Sequence, residues 1–277
     1  MKTIKSSGVM GRLSRENAGK KGITILVGIM IAGTILFFVL PLLSLMLRIT
    51  PGEFMEAILE PDVQSAITLS LITAATATII TVLFGTPIAY LNARVDYPGR
   101  TFVETLLDLP IVLPPSVAGI ALLVLLGRRG LIGSYLDDIG ISVIFTTLAV
   151  VIAQVFVAGP LYIRQAKSAF AMVDQVYESA ARTLGASPLV TFLSVTIPLA
   201  WPGLVSGVIL SFARSIGEFG ATIMVAGNLP GKTQTMPLAI YGLLQSDLTA
   251  SIALSLVLIA ISCIILILIR FLSGRAA

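Results

Sequence analysis

Ser211, Arg214, Ser215, Glu218 and Thr222 stand at helical spacing in an otherwise apolar stretch. On a helix they form one polar stripe. An ionisable side chain costs about 2.5–3.5 kcal/mol at the centre of a membrane-spanning helix, so the stripe should face other helices or a water-filled path. Arg214 and Glu218 are four residues apart and partly neutralise each other. Two readings fit: an ion pair that only locks helix packing, and an oxyanion path lined by hydroxyls and an arginine. Intramembrane aspartyl chemistry needs two carboxylates at depth, and only Glu218 is clearly there. The chain has no histidine. That removes Ser-His-Asp hydrolysis and His-bridged metal sites. Residues 227–233, GNLPGKT, end like a phosphate loop, but the pattern requires glycine where Ala226 stands, and no strand is expected before it. No catalytic or metal-binding set is legible, so the chain is expected not to be an enzyme and to carry no cofactor of its own.

The elements that position the stripe are membrane helices. Of 277 residues, 56% are hydrophobic and 12% charged, with mean hydropathy +1.01. Soluble domains carry about 25% charge. Uncharged runs cover 23–47, 63–93, 109–127, 139–163 and 248–269, and a sixth, 204–226, is interrupted by Arg214 and Glu218. Each is near or above the roughly 20 residues that cross a bilayer as a helix, so an all-α membrane protein with six transmembrane helices is expected. The first run is too long for a signal peptide and lacks a clean cleavage site, so it is expected to be retained. Cys263 lies in the last run and behaves as a small hydrophobe.

The third run opens as ETLLDLPIVLPPSVAGIALLVLL. Pro110, Pro114 and Pro115 remove backbone donors there, so the segment, with Ser116, should line protein or a cavity. A structural kink and a pathway element both fit. Arg100, Glu104 and Asp108, four apart, suit charge pairing along one face at its start.

With the N-terminus in the cytoplasm, segments 1–22, 92–101, 164–190 and 270–277 hold thirteen of the eighteen Lys and Arg residues. The positive-inside rule therefore places both termini in the cytoplasm. Topology accounts for the isoelectric point of about 9.4, with no nucleic-acid partner required. Residues 1–22 form a basic tail, expected to be disordered, and 23–277 a transmembrane domain. Its longest non-membrane segment is the connection at 164–190.

That connection contains ESAARTLGASPLVTFLSVTIPLAWPG, residues 178–203. Asp174 suits an N-cap, a short helix should follow, and Gly185 suits the left-handed position after it. Ser187 then caps a second helix with Pro188 at its first position. Val176, Ala180 and Leu184 share one face with Tyr177 and Ala181 beside them, while Glu178 and Arg182 pair on another. Either face could dock into a groove on a second protein.

This stretch resembles the EAA loop of ABC importer permeases, carried by Glu178, Ala180, Ala181, Gly185 and the ending Ile197-Pro198-Leu199, whose last pair inverts the commoner order. The resemblance runs from about residue 63 to 270. It implies a type I ABC importer permease fold in the cell membrane, with a coupling helix at Glu178, Ala180, Ala181, Arg182, Leu184 and Gly185. It also implies a second copy of the chain, two ABC ATPase subunits that bind the ATP and magnesium, and an extracytoplasmic oxyanion-binding protein. Residues 109–133 and 211–241 resemble the molybdate branch. Sulfate and thiosulfate permeases share the FARSIGEFG core, and residues 228–235 favour molybdate, with tungstate as an alternative. Lys232 departs from the acidic residue often found there. Pro114, Pro115, Ser116, Ser211, Arg214, Ser215 and Glu218 are the pathway candidates. A secondary transporter would leave the EAA-like stretch unexplained.

Overall fold

The computed structural model describes residues 6–273, whose regular elements are all helical with no strand among them. The chain divides into two units, Met1–Thr50 and Pro51–Ala277. The first holds helix α1, Ser6–Arg48. Its apolar part, Leu26–Arg48, has 23 residues, about 35 Å at 1.5 Å per residue, enough for the hydrocarbon core of a bilayer. The hydroxyls of Thr34 and Ser44 donate to the carbonyls of Met30 and Pro41. Satisfying them on its own backbone suits a helix surrounded by lipid. The helix already begins at Ser6, so the basic tail continues the first span where disorder was expected. Residues 1–5, and Arg275 near the other end, lie outside the described residues.

The second unit contains α2 (Pro51–Leu59), α3 (Pro61–Arg94), α4 (Arg100–Val112), α5 (Pro115–Leu126), α6 (Gly133–Asp138) and α7 (Thr147–Met172). Then come α8 (Gln175–Thr183), α9 (Pro188–Thr191), a π turn (Phe192–Thr196), α10 (Ile197–Ile216), α11 (Gly220–Ala226), α12 (Met236–Leu243) and α13 (Leu248–Ser273). Helices α3, α7 and α10 pack against one another as its centre. The reason is written into α3: Ala66, Ser70, Ala74, Ala77, Thr81, Gly85 and Ala89 recur every three or four residues and are buried. A ridge of small residues lets helix backbones approach where lipid supplies no hydrophobic drive. Tyr162 of α7 is buried in this packing, its hydroxyl 2.6 Å from that of Thr86.

Five stretches are long and apolar enough to cross a membrane: Leu26–Arg48, Pro61–Arg94, Thr147–Met172, Pro188–Ile216 and Leu248–Ile269. A sixth exists only if α4 and α5 count together, and these bend by 113° at their break. The expected third helix is therefore two short ones, each about 20 Å long, less than the bilayer core requires. Pro110 is accommodated inside α4, and the break falls at Leu113 and Pro114, both extended because each precedes a proline. The fifth span also differs from expectation. It starts at Pro188 and stops at Ile216, so the connection at 164–190 is shorter than the sequence suggested, with α7 running to Met172 at one end and the next span starting at Pro188 at the other.

Candidate functional site

The α7–α10 connection is built from local signals. The Asp174 side chain accepts from the Val176 N–H at 2.9 Å and starts α8. At the other end Gly185 has φ +93°. Ala186 N–H donates to the Ala181 carbonyl and Gly185 N–H to that of Arg182, the double bond that closes a helix through a left-handed glycine. Ser187 accepts from Val190 N–H with Pro188 in the first turn of α9.

The direction of α8 is set by Glu178, which is 5% exposed. Its Oε1 accepts from Arg94 Nε at 3.1 Å and from the Thr196 hydroxyl at 2.9 Å. Arg94 Nη2 lies 2.9 Å from the same oxygen and donates to the Val173 carbonyl at 2.8 Å. Arg182 is only loosely paired with Glu178, at 4.0 Å. Of the two faces open from sequence, the glutamate is thus turned inward, while Val176, Tyr177, Ala180 and Leu184 are exposed and Ala181 is half-buried. Arg94 and Thr196 were not singled out from sequence. Arg94 is one basic residue among several at a helix end, and Thr196 one hydroxyl in an apolar run, so neither carries a local signal.

The second cluster forms where α10 ends. Glu218 lies beyond the helix, so the stripe is not one continuous helical face: Ser211, Arg214 and Ser215 lie on α10, Glu218 in the break, and Thr222 on α11. The turn at Gly217 and the Glu218 N–H to Ser215 carbonyl bond, 3.1 Å, keep the acid near its partner. Arg214 Nη1 is 2.6 Å from Glu218 Oε2, a close ion pair without the directed geometry of a hydrogen bond. Glu218 Oε1 accepts from Ala221 N–H at 2.8 Å and holds the start of α11. Gln154 of α7 donates to the Ser215 carbonyl at 3.1 Å and to the Thr73 hydroxyl at 3.3 Å, tying three helices together. The hydroxyls of Ser211, Ser215 and Thr222 and Oε1 of Gln154 are buried without partners. Gln154 was missed in the sequence although its signal was present, as an amide inside an uncharged run.

The two chain breaks meet here. A Cβ at Gly220 would lie 2.6 Å from Pro115 Cβ, and one at Gly119 2.7 Å from Met224 Cβ. Arg214, one-third exposed, borders a cavity of about 240 Å³ together with Pro110, Leu113, Pro115, Val157 and Leu161. Pro115 is the one member of the Pro114, Pro115, Ser116 group on its wall, and all three are exposed. Among the described residues no group of three His, Cys, Asp or Glu side chains is placed to hold a metal ion.

A family model described as binding-protein-dependent transport system inner membrane component matches residues 77–277. The chain belongs to this family. The match takes in both clusters apart from Thr73. The chain is 44% identical over 237 residues to the molybdenum transport system permease protein ModB of Mycobacterium tuberculosis, covering 86% of this chain and 89% of that one. It is 35% identical over 258 residues to the sulfate transport system permease protein CysT of Salmonella typhimurium, with 92% and 93% covered. Among solved structures it is similar to a bacterial alginate ABC transporter in complex with an alginate pentasaccharide-bound periplasmic protein, with TM-score 0.73, 15% identity, and 96% of this chain and 98% of that one covered. The fold is that of an ABC importer permease. As a family member the chain is a multi-pass plasma-membrane transport permease, not an enzyme.

Proposed function

We propose that this permease carries molybdate into the cell as a symmetric pair of copies, driven by two ABC ATPase subunits and loaded by an extracytoplasmic oxyanion-binding protein. The 44% identity to a molybdenum permease across most of both chains supports the substrate. Both termini are cytoplasmic, from the distribution of Lys and Arg. Helix α8 is the coupling helix: it is short, capped at both ends, anchored by Glu178, and presents Val176, Tyr177, Ala180 and Leu184 outward. The exposed apolar patch with no core of its own is the observation that carries this reading. The ATPases bind ATP and magnesium, and their closure draws the two copies of α8 together. Spans α3, α7 and α10 follow, and the paired breaks at Pro114 and Gly217 are where the path opens. Ser211, Arg214, Ser215 and Glu218, with Pro115, border that path. The Arg214–Glu218 pair leaves little net positive field, so the permease passes the anion and the binding protein selects it.

The test is uptake of molybdate by vesicles containing the permease, its ATPase and the binding protein. Uptake should require ATP and fall when tungstate, a dianion of the same shape, is added, but not with equal sulfate. Competition by sulfate at parity would reassign the substrate. Uptake driven by an ion gradient without ATP would instead make the chain a secondary transporter.

A further inference from the structure

Glu178 sits in the proposed coupling helix, yet none of its strong contacts point outward. Its carboxylate gathers Arg94 from the end of α3 and Thr196 from the π turn that leads into α10, and Arg94 in turn holds the Val173 carbonyl at the end of α7. Arg94 and Glu178 side chains are 8% and 7% exposed. Four elements are therefore joined through one Arg94–Glu178 pair, with the carboxylate's charge compensated and its Oε1 accepting from both Arg94 and Thr196. Thr196 has a particular address. Ile197 N–H reaches back five residues to the Phe192 carbonyl, and Pro198 follows, whose missing donor and ring disfavour a regular α turn. Single π turns of this kind are sites where a helix can change its path.

We propose that Arg94, Glu178 and Thr196 form a latch inside the permease that makes α8 move as one body with the ends of α3, α7 and α10. Glu178 is then a positioning residue and not a contact to the ATPase. From Thr196 to Arg214 is eighteen residues, about 27 Å along the helix axis, so the latch passes motion of α8 up α10 to the break at Gly217. Without it, the π turn yields, and ATP is hydrolysed without moving the break. The inference rests on the coupling-helix reading of α8.

The test compares E178Q, E178R, R94E, T196V and the double exchange R94E/E178R in vesicles with ATPase and binding protein, reading molybdate uptake per ATP hydrolysed and co-purification of the ATPase. E178Q and T196V change little volume. Both should keep the ATPase bound while uptake per ATP falls about tenfold, the scale of a coupling energy lost along a packed network. The double exchange should recover a large part of what E178R and R94E each lose. If E178Q and T196V leave uptake per ATP unchanged, the latch is overturned. If E178R releases the ATPase and R94E does not restore it, Glu178 belongs to the subunit interface and the latch is again overturned, while the coupling reading survives. Charged replacements at Val176 and Leu184 test that reading separately, and an ATPase that stays bound to them would sink it without reference to Glu178. Should E178R fail to accumulate, E178Q and T196V carry the comparison.

Discussion

Among the described residues, two buried glutamates pair with arginines, and their surroundings differ in one respect. Around Glu178 the strong partners are supplied: Oε1 accepts from Arg94 and from the Thr196 hydroxyl, and Arg94 in turn donates to the Val173 carbonyl, all within 3.1 Å. Around Glu218, the ion pair is close but poorly directed, and the hydroxyls of Ser211, Ser215 and Thr222 have no partner. A fully satisfied buried network rigidifies the elements it joins, whereas unpaired polar groups cost free energy until they find partners. The first region is built to hold one geometry. The second leaves hydroxyls unpartnered beside a close ion pair, which fits the proposed path.

The comparison can be broken in three ways. The largest effect belongs to Glu178→Ala, which leaves the buried Arg94 charge unpaired and should cost about 3–5 kcal/mol. Thermal unfolding of the detergent-solubilised permease reads it, and a shift no larger than that of a surface substitution would show that the first region is not rigidly held. Next comes Gly119→Ala at the second region. Its Cβ would meet Met224 Cβ at 2.7 Å and Ala221 Cα at 2.9 Å, so overpacking of about 1–3 kcal/mol is expected. The same melt should show it, because close backbone packing, not polar pairing, holds the two breaks together. The finest distinction sets Thr196→Val against Ser215→Ala. Removing the Thr196 hydroxyl takes a bond from a carboxylate, about 1.5–3 kcal/mol, while removing an unpartnered hydroxyl should be neutral within about 0.5 kcal/mol or slightly stabilising. Equal destabilisation by the two would erase the contrast between the regions.

How legible these regions were follows from how local their causes are. Asp174, Gly185, Ser187 and Pro188 act on backbone groups within four residues, so the caps of α8 and α9 could be read directly. The break at Pro114 was legible as a disturbance but not as a 113° turn, because a proline pair says that the helix is interrupted and not where the chain goes next. At Gly217 the pattern misled. Residues 211, 214, 215, 218 and 222 keep helical spacing across a break, since the turn at Gly217 returns Glu218 to the side of Arg214. The inward direction of Glu178 depended on Arg94, 84 residues away, and no periodicity reports a partner at that distance.

Taken alone, the sequence determined that the chain lives in a membrane, because a chain 56% hydrophobic with uncharged runs of about 20 residues is too apolar to leave in water. It also determined where short helices start and stop, since capping is satisfied by neighbours in the chain. Tertiary structure decided which face of α8 looks outward, that two chain breaks pack on each other, and which of two Arg–Glu pairs is completed. Those outcomes depend on contacts between residues far apart in sequence, and helix packing in a membrane, guided by small residues and polar pairs, brings those residues together.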